Sequence, residues 1–315
     1  FEAFDAVRLF VHAARRVQPE LVPTLEAAAI VDICRHVEGL PLALELAAAW
    51  TRVLSCKAIA AELRHGSELL RAVDAGRPPR QASIDIVLDQ SWRLLSPIER
   101  DALSRLSVFR GGFSADAART IANASLPVLG ALADRSLLRK DGARLFMHPL
   151  VQQWAALRLG EGTGRESAVR AHAQFFHRLL AQSRRAVEDG DRDALQRVDN
   201  EFENCRAAWS WSVANGGIDA LTKSTLTLMH FCDHRGRFEE GLALLRDALE
   251  SQAVQTDPGL APLLLGAAAS LEYRLDHYGA AEAAASGALA ASRPVDRDTK
   301  FRCFNVLGSC SHRLG

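Results

Sequence analysis

The chain has 315 residues, 48% of them hydrophobic and 24% charged, and a formal net charge of zero. That apolar content excludes wholesale disorder, and at roughly 100–200 residues per domain the length suits two or three domains. Balanced charge excludes a strong global field for nucleic acid or membrane surfaces, leaving only local patches. Aromatics are scarce, and the abundance of alanine and leucine favours helices, which cost both residues little.

Residues 4–17 carry a helical stripe of Phe4, Val7, Phe10, Val11, Ala14 and Val17, broken by Pro19 and Pro23. Ile30, Ile33, Cys34 and Val37 mark a second helix, with Gly39 just past its end, where a left-handed residue is cheap. Pro41 opens a third helix, where its missing N–H costs nothing. Ser55 caps a fourth near 56–64, and Asp74–Ser83, with Gly76, Pro78 and Pro79, reads as a linker. A helix follows over 83–95. Ser96-Pro97-Ile98-Glu99 is a capping box that starts the next, running to about Phe109. Gly111-Gly112 turns the chain, Ser114 caps a short helix, and another covers about 126–135. The period then changes to a β-hairpin over 137–147, with Asp141-Gly142 supplying a type I′ turn. His148-Pro149 opens a helix to about Leu159. Three helices and a hairpin make a winged-helix pattern, and Gly160–Ser167 is a second linker.

The remainder is helical and repeats itself. Gly236, Asp276 and Gly315 fall at matching positions, and the first two precede an aromatic residue, Phe238 or Tyr278, and a helix with small residues at its packing positions. That resembles tetratricopeptide repeats with long connecting loops. Residues 165–234 read as two or three degenerate helices leading in. The expected fold is mainly α: a helical domain at 1–80, a winged helix at 81–162 and a tetratricopeptide-like solenoid at 163–315. The chain starts at Phe1 and stops at Leu314-Gly315 in mid-repeat, which reads as a fragment cut at both ends.

Several chemistries are missing from the sequence. Only four of the 38 basic residues are lysines, and Cys56, Arg139, Thr222 and Thr299 precede them, so no Gly-Lys-Ser/Thr phosphate loop exists. G-x-S-x-G and G-x-G-x-x-G are absent as well. Six scattered cysteines without C-x-x-C read as buried thiols in a reducing cytoplasm. The longest apolar run, Leu40–Trp50, is too short for a bilayer and contains Glu45, so no membrane contact is expected.

Gly39-Leu40-Pro41-Leu42-Ala43-Leu44, Leu95–Arg100, Leu106–Phe113 and Phe146-Met147-His148-Pro149-Leu150-Val151 together resemble the STAND family of signal-transduction ATPases, in its bacterial regulator branch. The resemblance covers nearly the whole chain. It implies an upstream P-loop core holding ADP or ATP with magnesium, and no tight nucleotide binding or catalysis by this fragment alone. It implies that Pro41, after Gly39, packs on the adenine, and that His148 touches the β-phosphate of ADP. Pro149 stands where the family usually has aspartate, so this chain has no carboxylate at that position. An inducer or protein partner would bind the repeats, and activation would bring self-oligomerisation.

Alternative readings remain. Pro41 and His148 also suit plain helix punctuation. Stacked helix pairs alone make an interaction scaffold. A winged helix can read DNA, but Leu126–Arg135 is nearly all apolar, and Arg139, Lys140 and Arg144 on the wing offer only phosphate contacts. His230 and His234 share a helical face, but no third metal ligand lies nearby in sequence. His172 and His177 read as helix-surface or packing residues, and Trp92, Trp209 and Trp211 as core anchors.

Overall fold

The structure, a computed structural model, describes residues 4–73, 79–160, 163–291 and 296–314. Its first elements follow the punctuation of the sequence. Helix α1 (Asp5–Val17) buries Val7, Phe10, Val11 and Ala14, and α2 (Ala27–His36) buries Ile30, Ile33 and Cys34. Pro41 is the first residue of α3 (Pro41–Ala49), which packs on α1 and passes into a 3-10 turn, Trp50–Arg52. Ser55 Oγ accepts the Ala58 N–H (3.2 Å) at the start of α4 (Cys56–Val73). This helix outruns its expected end near 64 because no proline interrupts it. Helix α5 (Pro79–Arg93) starts earlier than expected, at a proline whose fixed φ suits the first helical position. The linker expected over Asp74–Ser83 is therefore shorter, and residues 74–78 lie outside the described ones. The Trp50 indole N–H donates to Ser91 Oγ (3.0 Å), tying the end of α3 to α5.

The capping box at α6 (Pro97–Leu106) is present as read: Ser96 Oγ accepts from Glu99 N–H (3.3 Å), and Glu99 Oε2 accepts from Ser96 N–H (2.7 Å). The helix ends at Leu106, short of the expected Phe109. Then come β1 (Phe113–Ser114), α7 (Ala115–Ala122), α8 (Leu126–Asp134), β2 (Arg139–Asp141), β3 (Arg144–Phe146) and α9 (Pro149–Leu159). The sheet order is β1-β3-β2, with both pairings antiparallel. Strand β1 adds to the expected hairpin; two residues are too few to show a period. The turn also shifts by one residue. Asp141 pairs with Arg144, so the loop is Gly142-Ala143. Only Gly142 has positive φ (+58°), the pattern of a type II′ turn and not the expected type I′. Helix, strand, two helices and hairpin complete the order of a winged helix.

The chain forms two compact units, Phe1–Val108 with Phe113–Arg165, and Phe109–Gly112 with Glu166–Gly315. Helix α10 (Thr163–Glu188) shortens the second expected linker and leads into α11 (Arg192–Asn200), α12 (Phe202–Ala214) and α13 (Ile218–Arg235). Four helices thus stand where two or three were expected. The rest of the second unit is α14 (Phe238–Glu250), the single turn α15 (Gln252–Gln255), α16 (Leu260–Arg274), α17 (Tyr278–Leu289) and α18 (Arg297–Leu314). The repeat is visible in the backbone. Gly236 (φ +67°) and Asp276 (φ +60°) are both left-handed. The next N–H then reaches back in each case, Arg237 to Cys232 O (2.8 Å) and His277 to Glu272 O (3.0 Å), closing the helix end. The third matching position, Gly315, lies outside the described residues.

Small residues set the helix spacing. A Cβ on Gly241 would stand 2.8 Å from Cys232 Cβ and 2.9 Å from Leu271 Cδ1, so α13 and α16 approach α14 only because that side chain is missing. Gly241→Ala is expected to destabilise the second unit by about 1–3 kcal/mol despite alanine's better helix propensity. A thermal melt checks this, and an unchanged or raised midpoint would show that the neighbours yield freely.

Candidate functional site

Gly39 and Pro41 share the turn between α2 and α3. Glu38 (φ +52°) and Gly39 (φ +68°) are both left-handed, and the Gly39 N–H returns to Cys34 O (2.9 Å). A Cβ on Gly39 would meet Ala6 Cβ at 3.8 Å, an ordinary contact, so backbone conformation is what requires glycine here. Pro41 then starts α3 with its ring exposed, while Ala43, Leu44 and Leu46 behind it are buried.

His148 caps α9. Its Nδ1 accepts the Leu150 N–H (3.2 Å), which fixes the neutral tautomer with the proton on Nε2. The side chain is exposed, so that N–H faces outward. The start of α9 offers an anion less than a generic helix would. Pro149 has no N–H, and Leu150's is taken by the cap, so the imidazole Nε2–H is the exposed donor of the motif. The structure does not bring Pro41 and His148 into one contact. Helix α3 packs on α1 and α5, whereas α9 packs on α5 and α6.

The other sequence candidates have structural tasks. His230 Nε2 lies 3.6 Å from Glu188 Oε1 and 3.4 Å from Arg302 Nη1, and His234 Nε2 lies 3.4 Å from Glu188 O. Both imidazoles thus serve the end of α10. Among the described residues, no group of three or more His, Cys, Asp or Glu is placed to hold a metal ion. Trp92 and Trp154 meet edge-on (centroids 5.4 Å apart) between α5 and α9, and the Trp209 indole donates to Leu244 O (3.0 Å). The exposed face of α8 presents Leu126, Pro127, Gly130 and Asp134, none of them a base-reading donor of the Arg, Lys, Asn or Gln kind. All six cysteines are buried free thiols, and burial lifts Cys34 and Cys56 to about 11. Among the described residues, no helix is long and apolar enough to cross a membrane.

Sequence reasoning missed the polar centre of the second unit. Asn204 is fully buried. Its Oδ1 accepts the Arg110 backbone N–H (2.7 Å) and the His172 Nε2–H (3.2 Å), and its Nδ2 donates to Gly112 O (3.0 Å) and Glu201 Oε2 (2.8 Å). Burial pushes His172 down to about 4, against the opposing pull of its bond to Asn204. His177 is likewise lowered by burial; its Nε2 faces Ala208 O (3.2 Å) and Ser212 Oγ (2.9 Å), and its Nδ1 faces Ser224 Oγ (2.7 Å). Both are buried packing residues, and the helix-surface alternative does not hold. The signal for Asn204 was its place on the apolar stripe with Phe202, Cys205, Ala208 and Trp209.

No protein-family model matches the chain, and no solved structure matches it. Among curated proteins it is similar to the "putative HTH-type transcriptional regulator Rv0890c" of Mycobacterium tuberculosis, 34% identical over 261 residues, 79% of this chain and 29% of that protein. The Mycobacterium bovis protein of the same description, Mb0914c, gives the same figures. Those relatives are named as transcriptional regulators. A third, "Uncharacterized protein Rv0894" of M. tuberculosis, is 39% identical over 118 residues, 37% of this chain and 30% of that protein. The chain thus spans less than a third of the length of the curated relatives it matches.

Proposed function

We propose that this chain is the regulatory and sensor part of a nucleotide-switched transcriptional regulator of the STAND type. The observation that carries the reading is that the two motif residues are spare. Pro41 and His148 both stand exposed at helix starts and contribute nothing to the buried core. The names of the relatives support a regulatory role. A P-loop core outside these 315 residues would hold the nucleotide with magnesium, and the bound nucleotide supplies the phosphate charge that separates a resting from an active state.

Toward that group, Gly39 sets the turn, Pro41 presents a rigid apolar face without a donor, and His148 presents its Nε2–H. The fit at His148 rests on the side chain more than on the helix end, for the reason given above. The helix pairs of the second unit supply the surface for an inducer or protein partner, and release of the winged helix would allow self-association, a two-state element biased by differential contacts. We assign no catalytic residue to this chain. The exposed face of α8 favours placing DNA recognition elsewhere in the longer regulator.

The test uses the full-length regulator. His148→Ala is expected to raise the ADP off-rate by about tenfold, the equivalent of one charge-assisted hydrogen bond. Fluorescent-ADP displacement measures it. An unchanged off-rate in a folded variant would reduce His148 to a helix cap and leave the repeat-scaffold reading in its place.

A further inference from the structure

The strap Phe109–Gly112 runs between two elements of the first unit and is itself part of the second. It ends in two adjacent glycines, the least restrained residues a chain can offer. Gly111 is left-handed (φ +72°), and a Cβ on it would meet nothing within 4 Å, so conformation and not crowding calls for glycine. The strap is nevertheless held along its length. Asn204 accepts from the Arg110 N–H (2.7 Å) and donates to Gly112 O (3.0 Å). Phe109 is buried and meets His172 and Phe176 of α10 edge-on, with centroids 5.5 and 6.2 Å away.

Both flanks of the strap lead to the start of α9. On the N-terminal side, Ser107 O accepts from Gln152 Nε2–H (3.1 Å), and the Gln152 backbone N–H bonds His148 O (2.9 Å). On the C-terminal side, Phe113 is fully buried and pairs with Leu145 of β3, which runs on through Phe146 and Met147 to His148. Two short routes thus join the residues that Asn204 holds to the turn where His148 caps its helix.

We propose that Asn204 is a positioning residue for His148, and that opening of its clasp on the strap is how the repeats act on the winged helix. The other two partners of the clasp, His172 Nε2 and Glu201 Oε2, belong to α10 and to the junction of α11 and α12. Asn204, His172 and Glu201 are all buried, so a molecule on the repeats that shifts these helices breaks a network that is costly to leave half satisfied. With the amide withdrawn, the two glycines turn the strap from a fixed spacer into a slack one, which supplies the two arrangements that coupling requires. What His148 touches rests on the nucleotide reading; the coupling itself does not.

The whole 315-residue chain, without nucleotide, tests the coupling in two variants. Asn204→Ala removes the clasp. Insertion of two glycines between Gly112 and Phe113 leaves the clasp intact and adds slack beyond it. Gly241→Ala, which loosens the second unit away from the strap, is the control. In both strap variants the amides of the β1–β3 pair should exchange at least about tenfold faster than in the control. Nitrogen NMR of the His148 imidazole should move from the single Nε2–H tautomer toward a mixture of the two. The Arg110 amide should lose protection in Asn204→Ala and keep it in the insertion. Should Asn204→Ala fail to fold, the insertion alone decides. An insertion that leaves the β1–β3 amides and the His148 ring unchanged, or a control that moves them equally, would overturn the proposal. In the full-length regulator the insertion should speed ADP release as His148→Ala does, and no change there, where His148→Ala has an effect, would overturn it too. ADP release untouched by His148→Ala, with the exchange result intact, would remove the nucleotide reading and leave the coupling standing.

Discussion

Asn204→Ala is expected to cost the second unit about 2–3 kcal/mol, the range for leaving buried polar groups short of a hydrogen-bond partner. The change removes at one stroke the acceptor of the Arg110 N–H, the donor to Gly112 O, the donor to Glu201 and the acceptor of His172. Glu201 is only 5% exposed, so water cannot readily replace the lost amide. Asn204→Asp should be no milder, since it keeps the acceptor but sets a second carboxylate against Glu201. Hydrogen exchange supplies a local readout: the Arg110 amide, now held at 2.7 Å, should exchange far faster in either variant. An Arg110 amide still protected, with an unchanged unfolding midpoint, would show that Asn204 is not the clasp described here.

Acid should loosen the same unit through its histidines. His172 and His177 are buried and held neutral, with His172 lowered from its usual 6.5 to about 4. The unfolded chain takes up their protons as soon as pH drops below about 6.5, while the folded chain does not. Stability is therefore full above that value and declines as pH falls toward about 4, where His172 protonates in the folded state as well. His172 alone should account for about 3 kcal/mol across that interval. Carboxylates titrate nearby, so the comparison is with His172→Gln, which keeps a donor for Asn204 Oδ1 and cannot charge. Denaturant midpoints of the variant should fall less steeply over the interval than those of the unsubstituted chain. Parallel slopes would contradict this assignment.

What the sequence revealed was whatever is settled within a few residues. The capping box at Ser96, the proline start of α3, the Ser114 cap and the left-handed Gly39 were legible because each partner lies within a single turn of chain. The hairpin was legible as a change of period, but its turn residues were not. Asp141-Gly142 and Gly142-Ala143 both place a glycine at a position with positive φ, and cross-strand pairing chose between them. Strand β1 is held by Leu145 and Arg144, some thirty residues on, and nothing local announces it. The candidate site divides in the same way. Pro41 and His148 could be read as helix starts, and the structure places both there. Asn204 showed in the sequence only as a polar residue on an apolar stripe, and its task stayed hidden because its backbone partners, Arg110 and Gly112, come from a distant element.

Phe109–Gly112 belong to the second unit although the chain on either side of them belongs to the first. The second unit is consequently discontinuous in the gene. A truncation that begins at Glu166 would omit four of its residues and deprive Asn204 of both backbone partners, so the repeats cannot be excised as a single uninterrupted piece without unpicking their own polar centre. Any insertion between Phe109 and Gly112 likewise falls inside the second unit, however plainly the local sequence reads as a turn between helices of the first.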